Sequence, residues 1–201
     1  MNQRKKQPLV TRQAILDAVG NGFAQAGYGG TGLNAIVLEA GVTKGGLFHH
    51  FADKQALALA WIDERLAVQI DAQWIAPLAA ADTLEALKNT CQSGLSEVGR
   101  GSATTTLAAL AAELGARNNV LGSRLETIYS QWRAAIAGLL DRGKVAGGIH
   151  RSIKPPAEAA FLVALITGAS VTAACAEDPT ALRACVTALD DYLNTLRNAP
   201  E

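Results

Sequence analysis

The sequence predicts an all-α fold, and two observations carry this prediction. Nearly half of the 201 residues are hydrophobic while few are aromatic, and alanine is abundant, a composition that favours helices. Apolar residues recur at spacings of three and four in one segment after another, without the strict alternation of a half-buried strand. A chain of this length can form one large domain or two small ones, and either can bury a real core.

A short helix, a tight turn and a second short helix follow one another between residues 32 and 51. The apolar spacing predicts an amphipathic helix from Leu33 to Ala40. Gly41 follows where a left-handed residue is usually needed, and glycine takes that conformation at little cost. Thr43 can then cap a second helix, from Lys44 to His50. This order is that of a helix-turn-helix.

The second helix has a start and an outer face that suit DNA. Lys44 to Gly46 leave backbone amides exposed beside a cationic side chain, an arrangement that favours phosphate. Leu47 is expected to face the core, so Phe48 and His49 point outward, toward base edges and thymine methyl groups. Lys54, just inside a third helix, is placed to meet the DNA backbone.

The segment from Thr11 to Leu59 resembles the N-terminal domain of the TetR (tetracycline repressor) family of one-component bacterial transcription regulators. The matching positions are Arg12, Ile15, Leu16, Ala18, Phe23, Gly27, Tyr28, Thr31, Ile36, Ala40, Gly41, Val42, Thr43, Lys44, Gly45, Leu47, His50, Phe51 and Lys54.

The resemblance implies which residues meet the DNA. Phosphate contacts would come from Thr31, Thr43 and Lys54, and the base-facing stretch would be Lys44, Gly45, Gly46, Phe48 and His49. Phe48 stands where the family usually carries tyrosine, so its contact must be apolar.

We therefore predict two domains. Residues 9–69 form the helix-turn-helix domain, with the motif itself at 32–51, and residues 70–201 form an effector-binding and dimerisation domain. Residues 1–54 hold six Lys and Arg against three acids, which gives +3 and leaves −3 for the remainder. A basic head on an acidic body fits DNA contact at one end. The basic residues of segment 4–6 are either an arm that reaches the DNA or a solvated tail.

Beyond Lys54 the sequence reads as helix after helix. A linking helix is expected to run to about Pro77, and further helices follow at about 82–98, 103–114 and 119–145. Pro155-Pro156 opens a helix whose stretch from Ala159 to Ala176 is uncharged.

That uncharged stretch is long enough for a membrane span, but a helix buried by its own fold and by a partner is equally apolar. Its Thr and Ser residues and the following Glu177-Asp178 favour the second interpretation, without a membrane. With the final helix it would form a four-helix bundle across a two-fold axis, as the resemblance also implies. The predicted dimer contacts are Phe161, Leu165, Leu182, Val186, Leu189 and Leu193.

The resemblance also implies a pocket for a small apolar effector in the C-terminal body. The large or hydroxylated side chains that could line it are Trp61, Trp74, Thr105, Tyr129, Trp132 and Phe161. For each of them, ordinary packing in the core is the alternative interpretation.

Other classes of site find little support in the sequence. The three histidines show no ligand spacing, so no metal or cofactor is expected. The three cysteines suit small buried side chains in a reducing compartment, with redox sensing as the alternative. Gly27, Gly29 and Gly32 match a dinucleotide-binding spacing, but a helical pattern precedes them instead of a strand.

The sequence thus predicts a cytoplasmic, homodimeric repressor that binds a palindromic double-stranded DNA operator and is released by a small molecule. No secretory signal is visible. An enzyme is not expected, because the paired acids Glu177-Asp178 and Asp190-Asp191 are adjacent residues that point in different directions. A helical ligand-binding protein that does not read DNA, or an activator of the same fold, remains the alternative.

Overall fold

The computed structural model describes residues 3–99 and 101–198, with side chains from residue 9 onward. The α-helices are α1 (Gln3–Gly30), α2 (Leu33–Glu39), α3 (Lys44–His50), α4 (Lys54–Trp61), α5 (Ala67–Ile70), α6 (Leu84–Ser96), α7 (Ala103–Leu114), α8 (Asn119–Val145), α9 (Pro155–Cys175) and α10 (Thr180–Thr195). In this part of the chain the β-structure amounts to an isolated bridge between Ile149 and Arg197. The all-α prediction is confirmed.

The chain divides into two compact units. Unit 1 comprises Met1–Val68 and Ala109–Glu126, and unit 2 comprises Gln69–Ala108 and Thr127–Glu201. A segment that we assigned from the sequence to the C-terminal domain, residues 109–126, therefore packs with the N-terminal unit. The functional division at residue 69 stays a prediction.

Unit 1 is a small helical head built around α1, which packs against α2, α3 and α4. Its core consists of side chains from all four of these helices and the residue that follows α3, among them Ile15, Leu16, Val19, Phe23, Ile36, Leu47, Phe51, Leu57 and Trp61. The guanidinium of Arg12 pairs with the carboxylate of Glu64, which ties α1 to the turn after α4. The predicted arm residues at positions 4–6 lie within the first turns of α1, and their side chains lie outside the described part.

The linking helix after α4 differs from a regular α-helix. Two π-helical turns, Ile62–Leu66 and Asp71–Ile75, flank α5, and a 3-10 turn that contains Pro77 ends the segment. From Ile62 onward the buried side chains follow a strict spacing of four, namely Ile62, Leu66, Ile70, Trp74 and Leu78. In an α-helix, which has about 3.6 residues per turn, residues spaced by four do not stay on one side, so such a row would wind slowly around the helix. The wider π turns offset this drift and keep the row buried.

Unit 2 has a core centred on two tryptophans. Helix α6 packs against α9, α10 and the turns that contain Trp74. The rings of Trp74 and Trp132 lie 4.9 Å apart, and both side chains are fully buried. A Cβ at Gly94 would lie 2.2 Å from the Trp74 ring, so α6 approaches that ring through a glycine.

Two predicted dimer residues belong to this core instead of the surface. Leu189 and Leu193 of α10 are 2% and 1% exposed. Helix α10 packs against α6, and the two leucines line a small crevice together with Lys88, Cys91, Gln92 and Leu95 of α6. Hydrophobic periodicity places them correctly on the apolar face of α10, but α6 of the same chain covers both side chains, so neither is exposed for the predicted dimer contact.

Burial also determines the chemistry of Cys91. Desolvation raises the pKa of its thiol to about 12, whereas Cys175 and Cys185 are exposed. Because the thiolate is the reactive form, we expect Cys91 in the folded protein to resist a disulfide reagent at about pH 8. Mass spectrometry after timed labelling measures this, and unfolding in denaturant should make all three thiols react. Labelling of native Cys91 at the rate of Cys185 would contradict the prediction.

Candidate nucleic-acid interface

The turn between α2 and α3 has the local geometry that the sequence predicts. Gly41 has a φ of +63°, in the left-handed region. The side-chain oxygen of Thr43 accepts a hydrogen bond of 3.0 Å from the Gly46 amide and so caps α3. That oxygen already serves as an acceptor, and the hydroxyl proton can still be donated to a phosphate oxygen.

The outer face of α3 carries the predicted base-facing side chains. Leu47 is fully buried beneath it, which fixes the rotation of the helix. Phe48 is 41% exposed and His49 is exposed, as are Lys44 and Gly45. A large aromatic side chain that stays in water loses the free energy that burial would provide. The outward position of Phe48 therefore indicates a surface that contacts a partner.

His50 belongs to the packing beside this face. Its ring lies 6.2 Å from that of Phe51, which is 4% exposed. Desolvation lowers the pKa of His50, and the electrostatic influence of the neighbouring His49 and Arg12 side chains lowers it further. A neutral imidazole at neutral pH suits a packing role.

Lys54 is the first residue of α4. Asp53 caps this helix, because its carboxylate accepts a 2.7 Å hydrogen bond from the Ala56 amide. The Lys54 ammonium lies 4.5 Å from the centroid of the Tyr28 ring. The ring therefore restricts where this cation can be presented to DNA.

Thr31 takes a different position from the one that the resemblance implies. Its side chain is 4% exposed, and its hydroxyl donates a 2.7 Å hydrogen bond to the Gly27 carbonyl. A buried hydroxyl with an internal acceptor does not fit the phosphate contact that we predicted for it. We therefore assign Thr31 to the packing of unit 1.

The predicted pocket side chains do not gather around one cavity. Trp74 and Trp132 form the core of unit 2 with Tyr129 stacked at their edge, and Phe161 packs against Tyr192. Trp61 lies in unit 1, where its ring meets Phe23 edge to face. The Thr105 hydroxyl donates to the Gly99 carbonyl at 2.7 Å and thereby holds the loop before α7.

Unit 2 contains a cavity of about 680 Å³ that these residues do not line. Among the described residues that line it, Gln69, Gln73, Asn89, Thr90, Ser93, Glu97 and Ser102 are polar, and the others are Ala72, Pro77, Gly101 and Ala103. The volume is within the range of small-molecule sites. Sequence reasoning missed these residues, because polar side chains at helical spacing look the same in a cavity and on a solvated face.

Helix α9 has an exposed face without charged side chains. Ala160, Phe161, Ala164, Gly168 and Val171 are exposed along it. By length and composition α9 could cross a membrane, and a third of its most apolar stretch is buried within the protein. Core helices of soluble proteins meet the same criterion.

These features define the class: a helix-turn-helix head with an exposed second helix, joined to an all-helical unit with a cavity. Residues 15–61 match the family described as bacterial regulatory proteins, tetR family, and residues 83–189 match the tetracyclin repressor-like C-terminal domain. The second match alone covers more than half of the chain. The chain belongs to the TetR family, whose members are transcription regulators and not enzymes.

Individual relatives and solved structures agree with this assignment. The chain is 28% identical over 167 residues to the A-factor receptor protein of Streptomyces griseus, a match that covers 82% of this chain and 55% of that protein. It is 32% identical over 95 residues to the transcriptional repressor AcnR of Corynebacterium efficiens, a match that covers 47% of this chain and 42% of that protein. The chain thus spans about half the length of these curated relatives.

Two crystal structures share the fold over nearly the whole chain. A TetR transcriptional regulator from Chloroflexus aurantiacus superposes with a TM-score of 0.83 at 25% identity, covering 96% of this chain and 100% of that one. The reduced form of NemR from Escherichia coli gives a TM-score of 0.79 at 20% identity, and the superposition covers 94% of this chain and 98% of that one.

Proposed function

We propose that this protein is a sequence-specific DNA-binding repressor. The observation that carries the proposal is the exposed face of α3, where Phe48 and His49 project from a helix anchored by the buried Leu47. Side chains of this kind read thymine methyl groups and base edges in the major groove. Thr43, Lys44 and Lys54 would hold the flanking phosphates.

The experiment that tests this function is selection of bound duplexes from a random DNA library by the purified protein. Enrichment of a near-palindrome with two equivalent half-sites, about 34 Å apart centre to centre, is the expected result. If the folded protein enriches no sequence, the proposal fails and the alternative stands: a helical ligand-binding protein that does not read DNA. Placing the selected operator before a reporter gene then separates a repressor from an activator.

We propose that the operator is bound by a homodimer. The uncharged exposed face of α9 supports this, since a partner helix would remove Phe161 and Val171 from water. Leu165, Leu182 and Val186 are half-buried within the single chain and can complete the contact. The symmetry of a two-fold dimer matches that of a palindrome.

We propose that the cavity of unit 2 is the effector site. Its lining favours a ligand with several hydrogen-bonding groups over the wholly apolar one that we expected from the sequence. The Gln73 amide bonds the Gly94 carbonyl at 3.2 Å and approaches the Glu97 carboxylate at 3.3 Å, so this wall is held in place. The carboxylate of Glu97 favours a neutral or cationic ligand. A protein with these roles acts where the DNA is, in the cytoplasm.

A further inference from the structure

The end of α1, from the break at Gly27, and the turn to α2 are unusually rich in glycine, yet this segment is held by defined contacts. Four of the six residues from Gly27 to Gly32 are glycine, and such a chain loses much conformational freedom when it is ordered. Gly27 has a φ of +68° and a ψ of −176°, which breaks the helix. The amides of Tyr28 and Gly29 then donate to one carboxylate, that of Glu113 on α7, at 2.9 and 2.6 Å.

This carboxylate fits the turn closely. A Cβ at Gly27 would lie 2.7 Å from one oxygen of Glu113, and a Cβ at Gly29 would lie 2.9 Å from the other. Any larger residue would therefore displace the carboxylate. The two glycines whose spacing resembles a nucleotide-binding fingerprint instead surround an anion supplied by the chain itself. Two charge-assisted hydrogen bonds hold the backbone on both sides of the Tyr28 α-carbon.

The side chain of Tyr28 connects this turn to the predicted DNA contact. Its ring packs 5.9 Å from Phe23 on one side, and the ammonium of Lys54 lies 4.5 Å from its centroid. Lysine carries a long flexible stem, so a fixed aromatic face narrows the positions that its charge can take. A second contact from the same part of the chain, Asn118 to Gln55 at 3.1 Å, holds the residue next to Lys54.

We propose that Glu113 is a positioning residue for DNA binding: its carboxylate fixes the Tyr28 backbone, and the Tyr28 ring then holds Lys54 in place for a phosphate. The inference rests on the proposed DNA-binding function. According to this inference, the negatively charged Glu113 increases DNA affinity although it does not face the DNA. Charge repulsion alone predicts the opposite change in DNA affinity, because removal of an acidic group should strengthen binding to a polyanion.

The test is a double-mutant cycle of Glu113→Ala and Lys54→Ala, measured on the selected operator across a salt series. We expect Glu113→Ala to weaken binding by about tenfold, roughly the value of one charge-assisted contact. The slope of log affinity against log salt should fall by about one per subunit, because one phosphate contact is lost. In the Lys54→Ala background, Glu113→Ala should have little further effect.

Asp141→Ala is the matched control, since it removes an exposed carboxylate from α8 and changes the net charge equally. It should leave affinity and salt slope unchanged. The inference is overturned if Glu113→Ala binds the operator with wild-type affinity. It is also overturned if Glu113→Ala weakens binding as much in the Lys54→Ala background as in the wild-type protein. Failure of the wild-type protein to bind any operator would instead overturn the proposed function.

Two further variants keep the test decisive if Glu113→Ala does not fold. Glu113→Gln keeps one acceptor oxygen and should show a smaller loss in the same direction. Tyr28→Ala leaves the backbone amides in place and removes the ring under Lys54, so it should reproduce the reduced salt slope. A wild-type slope in Tyr28→Ala would mean that the ring does not position Lys54.

Discussion

Substitution of Trp132 by alanine is expected to lower the free energy of unfolding by about 3–5 kcal/mol. The side chain is 0% exposed and packs against Trp74, which is itself held by α6 through Gly94. Because this core is enclosed, the structure can relax only partly into the cavity left behind. Denaturant unfolding at a fixed protein concentration measures the change, since a dimer's stability depends on concentration.

Phenylalanine at the two tryptophan positions provides the matched comparison. The indole nitrogen of Trp74 donates a 2.9 Å hydrogen bond to the buried Thr104 hydroxyl, whereas that of Trp132 has no acceptor among the described residues. Trp74→Phe leaves the Thr104 hydroxyl without its donor, so it should cost about 1–3 kcal/mol more than Trp132→Phe. Equal costs would show that the Trp74 hydrogen bond contributes nothing net.

The double substitution Phe48→Ala/His49→Ala is expected to weaken operator binding by at least about a hundredfold, since each base contact is worth about 1–3 kcal/mol. Both side chains are exposed, so the fold should be unaffected. Titration of the operator and of a scrambled duplex, read by fluorescence anisotropy, measures specific and non-specific binding separately. The loss should be confined to the operator.

Lys54→Ala serves as the contrasting variant. It should weaken binding to both duplexes by a similar factor and reduce the salt dependence. If Phe48→Ala/His49→Ala instead lowers both affinities equally, the outer face of α3 supports general phosphate binding and does not read sequence.

The local elements of the head could be predicted because short-range chemistry fixes them. The left-handed Gly41 and the cap at Thr43 are both confirmed. Each depends on the conformational range or hydrogen bonding of one residue with neighbours three or four positions away. The rotation of α3 also followed from its sequence, since Leu47 is its one large aliphatic side chain.

Other assignments required the tertiary structure, because a hydrophobic pattern gives the face of a helix but not its partner. Leu189 and Leu193 are on the apolar face of α10, yet α6 of the same chain covers them. Thr31 matches a family position, yet its hydroxyl bonds the Gly27 carbonyl. The polar side chains around the cavity come from separate segments of unit 2, and no spacing along the chain connects them.

Patterns along the sequence were sufficient to predict that the chain is helical, where its helix-turn-helix lies and which side of α3 faces outward. These features arise from interactions within one or two helical turns. The packing of the folded chain was needed to show what covers each apolar face and where the cavity lies. It also shows that Glu113 accepts hydrogen bonds from the amides of Tyr28 and Gly29, which are 85 and 84 positions away. Such contacts depend on how distant segments pack. The sequence around a carboxylate on a helix surface does not indicate which backbone amides it will bind.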